Sequence, residues 1–312
     1  MEENHRSPVE RETPSSSQTN TPNVRDIASK TVRGSAFNIV SSAITLVLGF
    51  VRSVLLARLL MPEDFGVMAL AMFFLHLIAR VHAFGFDAAL IHRDIDRDEV
   101  ISSHFVLRFG LAFVLTLVAV IAAPFLQRAY PDHPGLGKVL IAIAILEMIK
   151  SINATPRVLL SKELHFKRLA FLDVLSSIAA FVVAVPMAWY GAGIWSLVGE
   201  LAGGVAVRTA GLWIYRRPWN VSFKADWKII KWYFSFGAYN FLSSNLNFLL
   251  DRFDDFWSGT ALGSTALGFY SKAYEFARYP RRVIANPVAS VFFSTFAKLQ
   301  DDRERLSNAF FR

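Results

Sequence analysis

Cysteine is absent from this 312-residue chain, which excludes a disulfide framework and any cysteine-ligated metal site. The patterns of common catalytic scaffolds are absent too. There is no Walker A motif, no His-Glu-x-x-His pair, and no Ser, His and Asp set on a plausible scaffold. The connections between apolar stretches are too short for a separate active-site segment. We therefore expect a protein that is not an enzyme and that has no catalytic residues, no metal and no cofactor.

Apolar residues are what the chain has in abundance. They make up 54% of it, with a mean hydropathy of +0.37, which is too apolar for the surface of a water-soluble domain. A helix needs about 20 apolar residues to cross a bilayer. Such stretches recur eight times, and a ninth begins near Leu306; the eight lie at 34–60, 64–84, 100–126, 136–156, 169–190, 193–215, 232–257 and 265–297.

Basic residues are distributed unevenly between the connections. Fifteen Lys and Arg residues lie in alternate connections at 80–98, 157–168, 216–231 and 298–305, whereas the others hold only Arg128 and Lys138. The positive-inside rule then places the N-terminus in the cytoplasm. The net charge of +8 is thus a topology signal with membrane lipids as partners and no nucleic acid. Residues 1–30 are polar and predict a disordered cytoplasmic tail.

An internal repeat appears when the chain is compared with itself at an offset of 202. Among the matches, Asn38 meets Asn240, Gly66 meets Gly268 and Arg80 meets Arg282. Six spans precede the second copy, so the copies share one orientation. The repeat predicts an all-α polytopic membrane protein with an N-lobe of six transmembrane helices at 31–215. A cytoplasmic interfacial linker at 216–231 then leads to a partial C-lobe at 232–312, with two helices and the start of a third, so the chain looks C-terminally truncated.

Polar side chains form a stripe on one face of the first span and of the seventh. The first stripe is Asn38, Ser41, Ser42, Thr45, Gly49 and Arg52; the second is Asn240, Ser243, Ser244, Asn247, Asp251, Asp254 and Asp255. The Ser and Asn positions are equally well explained as helix-packing contacts. Helix packing does not explain Arg52, because an ionisable residue within a span indicates function. We expect Arg52 to face a water-accessible cavity between the lobes, and Arg58 to extend to the interface.

The remaining charges within spans allow two interpretations. Lys272, Glu275, Arg278 and Arg282 share one face of the eighth span, where they either line the same cavity or neutralise one another. Glu147 and Lys150 form an i,i+3 pair, whereas Glu200 and Arg208 have no partner that the sequence identifies. At the offset of 202, Arg52 corresponds to Asp254. The two would bridge the lobes at the outer side, unless Asp254 pairs near its own helix, with Arg252 or Arg58, or meets water at the interface.

Three segments carry a family resemblance. "LARLLMPEDFGVMAL", "LSSNLNFLLDRFDDFWSGTALGSTALGFYSKAYEFARYP" and "VFFSTFAKLQDDRERL" resemble the polysaccharide transporter family of the multidrug, oligosaccharidyl-lipid and polysaccharide flippase superfamily. The resemblance implies two six-helix lobes around a central cavity in the bacterial inner membrane. It also implies export of undecaprenyl-pyrophosphate-linked oligosaccharide for O-antigen, exopolysaccharide or capsule synthesis. Further partners would be a polysaccharide polymerase or a chain-length regulator.

The same resemblance assigns roles to the polar residues. "GFVR" is similar to the first-span segment of related lipid flippases whose arginine faces the cavity, which implies that role for Arg52. The predicted substrate-binding residues are Arg52, Asn38, Asn240, Asn247, Lys272, Arg278 and Arg282, and those for gating or ion coupling are Asp251, Asp254 and Asp255. Those three aspartates also suit a cation-coupled drug exporter of the same superfamily. A third alternative is a non-transporting membrane scaffold of the polysaccharide machinery.

Overall fold

The chain is an all-α, multi-pass membrane protein. The computed structural model describes residues 24–79, 86–92, 98–163, 165–215 and 226–285, and within these ranges no strand occurs. The helices are α1 Val24–Leu59, α2 Pro62–Ile78, α3 Phe86–His92, α4 Asp98–Ala129, α5 Leu136–Ile152, α6 Ala154–Lys162, α7 Phe166–Trp189, α8 Trp195–Tyr215 and α9 Trp227–Pro280, followed by a π-helical turn, Arg281–Ala285.

Each of the eight predicted spans overlaps a helix. Within the described residues, four segments are long and apolar enough to cross a membrane, namely Ile39–Leu59, Asp98–Ala129, Phe166–Trp189 and Trp195–Ile214. α2 and α5, with 17 residues each, are shorter. Together with the four segments they make up the first repeat, residues 31–215. α9 covers the predicted seventh span and the first part of the predicted eighth, and a kink at Gly263, where φ is 83°, separates the two. The predicted ninth span and most of the predicted tail lie outside the described residues.

Two predicted boundaries differ from the structure. α1 already begins at Val24, inside the predicted tail, and α9 begins at Trp227, inside the predicted linker. The second start has a local cause, because the Asp226 carboxylate accepts a hydrogen bond from the Lys228 backbone N–H at 2.8 Å and caps the helix. Residues 216–225 of the predicted linker lie outside the described part.

Small residues bring the helices of the first repeat into close contact. α8 approaches α7 through glycines: Cβ atoms at Gly199 and Gly203 would collide with Met187 and Val183. Close approach at small residues drives helix association in lipid, where apolar burial is no longer a driving force. On the opposite side, α4 turns apolar side chains outward, as lipid contact requires, including Phe113, Val114, Leu117, Val118, Ile121 and Phe125.

One end of the bundle is closed by connections that touch one another. We call this the closed end: residues 60–62, 130–135 and 190–194 and the kink at Gly263. The Ser264 hydroxyl donates to the Asp132 carbonyl at 3.1 Å, and Tyr130 is hydrogen-bonded to Thr260 at 3.2 Å. The first repeat and α9 are therefore joined directly at this end.

The closest contact at the closed end has pseudo-twofold symmetry. A Cβ added to Gly66 would overlap the Ser264 carbonyl, and a Cβ added to Gly268 would overlap the Pro62 carbonyl. Pro62 corresponds to Ser264, and Gly66 to Gly268, at the offset of the sequence repeat. Glu63 and Thr265, also 202 residues apart, are hydrogen-bonded at 2.8 Å. Such reciprocal contacts surround a twofold axis, so an axis between α2 and the second half of α9 agrees with the predicted repeat.

Candidate functional site

A charged cavity runs along α1 between the first repeat and the second half of α9. Its volume is about 570 Å³, within the range of small-molecule sites. Five basic side chains line it, Arg52, Arg157, Arg208, Lys272 and Arg282, against three acidic ones, Asp173, Glu200 and Glu275. Two neighbouring cavities share several of these residues. The lining therefore carries more positive than negative groups.

Arg52 lies on the cavity wall with its charge paired. Its Nη2 is 2.8 Å from Oε1 of Glu200 on α8, and the two side chains are 17% and 23% exposed. Its Nη1 points to the Ser177 carbonyl of α7 at 3.4 Å, which is long for a hydrogen bond. The sequence identified no partner for Glu200; the structure supplies one from a helix almost 150 positions earlier. α1, α7 and α8 thus meet at this guanidinium.

Lys272 forms a second charge pair beside the first. Its Nζ is 2.7 Å from Oε2 of Glu275 and donates to the Ser53 hydroxyl of α1 at 3.1 Å. It also lies 4.3 Å from the centroid of the Phe65 ring, a cation–π contact. Glu200 interacts electrostatically with Lys272 and Glu275 as well as with Arg52. The four charges therefore form one cluster, and the mutual neutralisation allowed for Lys272 and Glu275 is present.

A third ionic group lies in the same cavity, around Asp173 of α7. Its Oδ1 is 2.9 Å from Nη2 of Arg208 on α8, and its Oδ2 is 3.7 Å from Nη2 of Arg157 on α6. Arg208, like Glu200, had no partner in the sequence analysis and has one here. The predicted Glu147–Lys150 pair is confirmed, at 3.0 Å.

The other predicted site residues fall into two groups. Arg278 and Arg282 line one of the two neighbouring cavities together with Lys272. Arg278 lies 5.2 Å from the Tyr274 ring centroid. Arg58, as expected for an interfacial residue, is exposed. The side chains of four predicted residues lie outside the described part of the chain: Asn38, Asn240, Asn247 and Asp251.

The predicted bridge between Arg52 and Asp254 is wrong. Arg52 pairs with Glu200, and the Asp254 carboxylate accepts a hydrogen bond from the Tyr270 hydroxyl across the α9 kink. Asp255 is buried, with 3% of its surface exposed. Neither aspartate is among the residues that line the charged cavity. The offset relates equivalent positions in the two repeats, but the packing of α8 places the Glu200 carboxylate, and not that of Asp254, against Arg52.

A second polar group superficially resembles a hydrolase triad. The His104 ring is hydrogen-bonded to Thr155 at 2.9 Å and to Asp87 at 3.2 Å. His104 and Thr155 are completely buried, so the hydroxyl has no access to a substrate. The group instead connects α3, α4 and α6. Among the described residues, no three His, Asp or Glu side chains are placed to hold a metal ion.

Comparison with known proteins points to one family. A family model described as "Polysaccharide biosynthesis protein" matches residues 55–312. The succinoglycan biosynthesis transport protein ExoT of Rhizobium meliloti is 29% identical over 287 residues, which cover 91% of this chain and 57% of that protein. The lipopolysaccharide biosynthesis protein WzxC of Escherichia coli is 25% identical, over 91% of this chain and 58% of its own length.

A third relative is named for a different polysaccharide. The teichuronic acid biosynthesis protein TuaB of Bacillus subtilis is 28% identical over 69% of this chain and 44% of its own length. The chain thus spans less than three fifths of each of these relatives. No solved structure is significantly similar to it.

Proposed function

Because the chain belongs to the polysaccharide biosynthesis protein family, we propose that it acts in carrying a polysaccharide precursor across the bacterial inner membrane. Its similarity to the succinoglycan transport protein supports carriage over chemistry on the substrate. The observation that carries the proposal is the cavity within the helical bundle, whose lining has five basic and three acidic side chains. An excess of positive charge on the cavity lining suits an anionic cargo.

The cargo we propose is an oligosaccharide joined to undecaprenyl by a pyrophosphate. Its head has two negative charges and many acceptor oxygens, and an arginine offers a planar donor fork to such groups. Arg52 is the proposed primary contact, with Lys272 beside it. Arg278 and Arg282 extend the basic wall along the same cavity. The lipid tail would lie in the membrane while the sugars occupy the cavity.

The closed end of the bundle is proposed to face the outside. The basic connections predict a cytoplasmic N-terminus, which puts the α1–α2 turn on the outer side. Cargo would then enter from the cytoplasmic side while the contacts of Gly66 and Gly268 hold the outer side shut. Release would require the two repeats to separate there.

Replacing Arg52 tests this function. In cells whose own carrier gene is deleted, Arg52→Ala in the complete protein should reduce surface polysaccharide by at least about tenfold, since a charge-assisted contact is worth on the order of 1.5–3 kcal/mol. Arg52→Lys should restore part of it, because the ammonium keeps the charge but loses the fork. Surface polysaccharide is measured by gel electrophoresis, and protein amount by immunoblot.

Arg58→Ala is the matched control. Arg58 lies on the same helix but is exposed, so that variant should keep normal polysaccharide. Normal polysaccharide in the Arg52→Ala variant, at wild-type protein level, would overturn the assignment of Arg52 to the cargo.

A further inference from the structure

The charge cluster around Arg52 is balanced when the cavity is empty. Arg52 has Glu200 at 2.8 Å, and Lys272 has Glu275 at 2.7 Å. Two cations and two carboxylates therefore neutralise one another. The carboxylates stabilise the cations in the empty cavity, and an anionic cargo therefore meets cations that are already paired.

Glu200 occupies the position on Arg52 that an anionic cargo would need. Both side chains line the cavity, and each retains some solvent contact, 17% for Arg52 and 23% for Glu200. The ion pair is therefore accessible from the cavity and can be exchanged. An anion that engages both terminal nitrogens of Arg52 must displace the Glu200 carboxylate from Nη2.

The geometry of the pair leaves room for a stronger ligand. Glu200 contacts the guanidinium through Oε1 and Nη2, while Nη1 makes only a long contact with the Ser177 carbonyl, 3.4 Å. A phosphate group can engage both terminal nitrogens of the fork, which is the stronger arrangement. A second phosphate on the same head can reach Lys272, since the Lys272 ammonium is bonded to Ser53, the residue next to Arg52.

We propose that Glu200 determines specificity by acting as a resident counter-ion of Arg52 that keeps singly charged phospholipid head groups out of the cavity. This inference rests on the proposed function. A single phosphodiester exchanges the Glu200 ion pair for one with Arg52 alone, so its gain is limited to the additional contact at Nη1. A head with two adjacent phosphates engages Arg52 and Lys272 together. The Lys272 ammonium has three donors, of which Glu275 and Ser53 take two, so the second phosphate adds a contact without displacing Glu275 and makes the exchange favourable. A membrane carrier needs this discrimination because phospholipids greatly outnumber its cargo.

Competition between lipids tests the role of Glu200. The purified protein is placed in nanodiscs of phosphatidylcholine, or of phosphatidylcholine and phosphatidylglycerol in equal parts. Binding of undecaprenyl-diphosphate-linked N-acetylglucosamine is then measured. The wild-type affinity should be the same in both membranes. In Glu200→Gln, affinity should rise about tenfold in phosphatidylcholine, because no carboxylate is displaced, and fall at least about tenfold on adding phosphatidylglycerol, which now competes.

Two further variants separate a specific role from a general defect. Glu163→Gln removes an ion-paired carboxylate, that of the Glu163–His165 pair, from a position that does not line the cavity, and should behave as wild type in both membranes. Arg52→Gln combined with Glu200→Gln should lose the gain in affinity, because the gain acts through Arg52. A gain in affinity is not the result of a damaged fold.

The outcomes distinguish this inference from the proposed function. If the wild-type protein does not bind the diphosphate-linked lipid in phosphatidylcholine, the proposed function fails. If the wild-type protein binds it and Glu200→Gln matches wild type in both membranes, the cargo assignment stands and the counter-ion role of Glu200 is refuted. Wild-type binding that already weakens with phosphatidylglycerol would also refute it.

Discussion

Two arginines that line the cavity are each stabilised by an opposite charge in contact. Arg52 has Glu200, and Arg208 has Asp173. An unpaired charge in a low-dielectric interior is costly, and removing one partner of a buried pair typically destabilises a protein by about 3–5 kcal/mol. Pairing across helices therefore serves stability and, in the cavity, leaves cations that an anion can reach by exchange.

His133 provides a prediction at this scale. It lies in the α4–α5 connection with 2% of its surface exposed, and neither ring nitrogen has a hydrogen-bond partner among the described residues. Burial lowers the pKa of the His133 imidazole, and the nearby Asp132 charge offsets this only partly. Because the unfolded chain then binds the proton more readily, stability is full above the ordinary histidine pKa of about 6.5 and falls as pH drops below it.

The measurement is the melting temperature of the purified protein between about pH 8 and about pH 5. His133→Gln should flatten the loss of stability on the acidic side. The more exposed His165 (38% for its side chain) is the control, and His165→Gln should retain the contribution of His133. An unchanged acidic slope in His133→Gln would contradict the prediction.

At the scale of helices, glycine decides how closely two elements approach. α2 and the second half of α9 cross with backbone against backbone at Gly66 and Gly268. The kink at Gly263, where φ is 83°, lets the second half of α9 turn back toward α2, because glycine alone adopts such a φ at little cost. This crossing of α2 and α9 therefore holds the closed end together.

Valine at either crossing glycine should open that contact. Gly66→Val and Gly268→Val should each destabilise the protein by about 1–3 kcal/mol or more, because the added atoms would overlap a backbone carbonyl. The double variant should cost less than the two single changes added together, since both disturb one contact. Melting temperature reports the effect. Gly110→Val is the control, as a Cβ at Gly110 meets nothing within 4 Å; equal losses for Gly66→Val and Gly110→Val would refute the argument.

For the whole molecule, orientation follows from charge. The basic connections are predicted to be cytoplasmic, which places the closed end outside. An alkaline phosphatase fusion after Lys162 should be inactive, and one after Gly191, at the closed end, should be active. The reverse pattern would mean that the orientation is inverted, and the proposed direction of transport would be inverted with it.

Much of the fold was predictable from the sequence because the local composition of a segment is enough to predict a membrane helix. An apolar run of sufficient length has few alternatives to a helix in lipid, so the predicted spans agree with α1, α2, α4, α5, α7, α8 and both halves of α9. The ends were less accurate. The Asp226 cap starts α9 early, since a single side-chain hydrogen bond decides where a helix begins.

The repeat and the exceptional position of Arg52 were determined by the sequence itself. An offset of 202 needs no structure to be seen, and a charge within an apolar run identifies itself. The partners of that charge were decided by the tertiary structure alone. Glu200 reaches Arg52 because the glycines of α8 let it pack closely on α7, beside α1. Contacts between residues far apart in the chain depend on how the helices pack, and a local sequence pattern does not predict that packing.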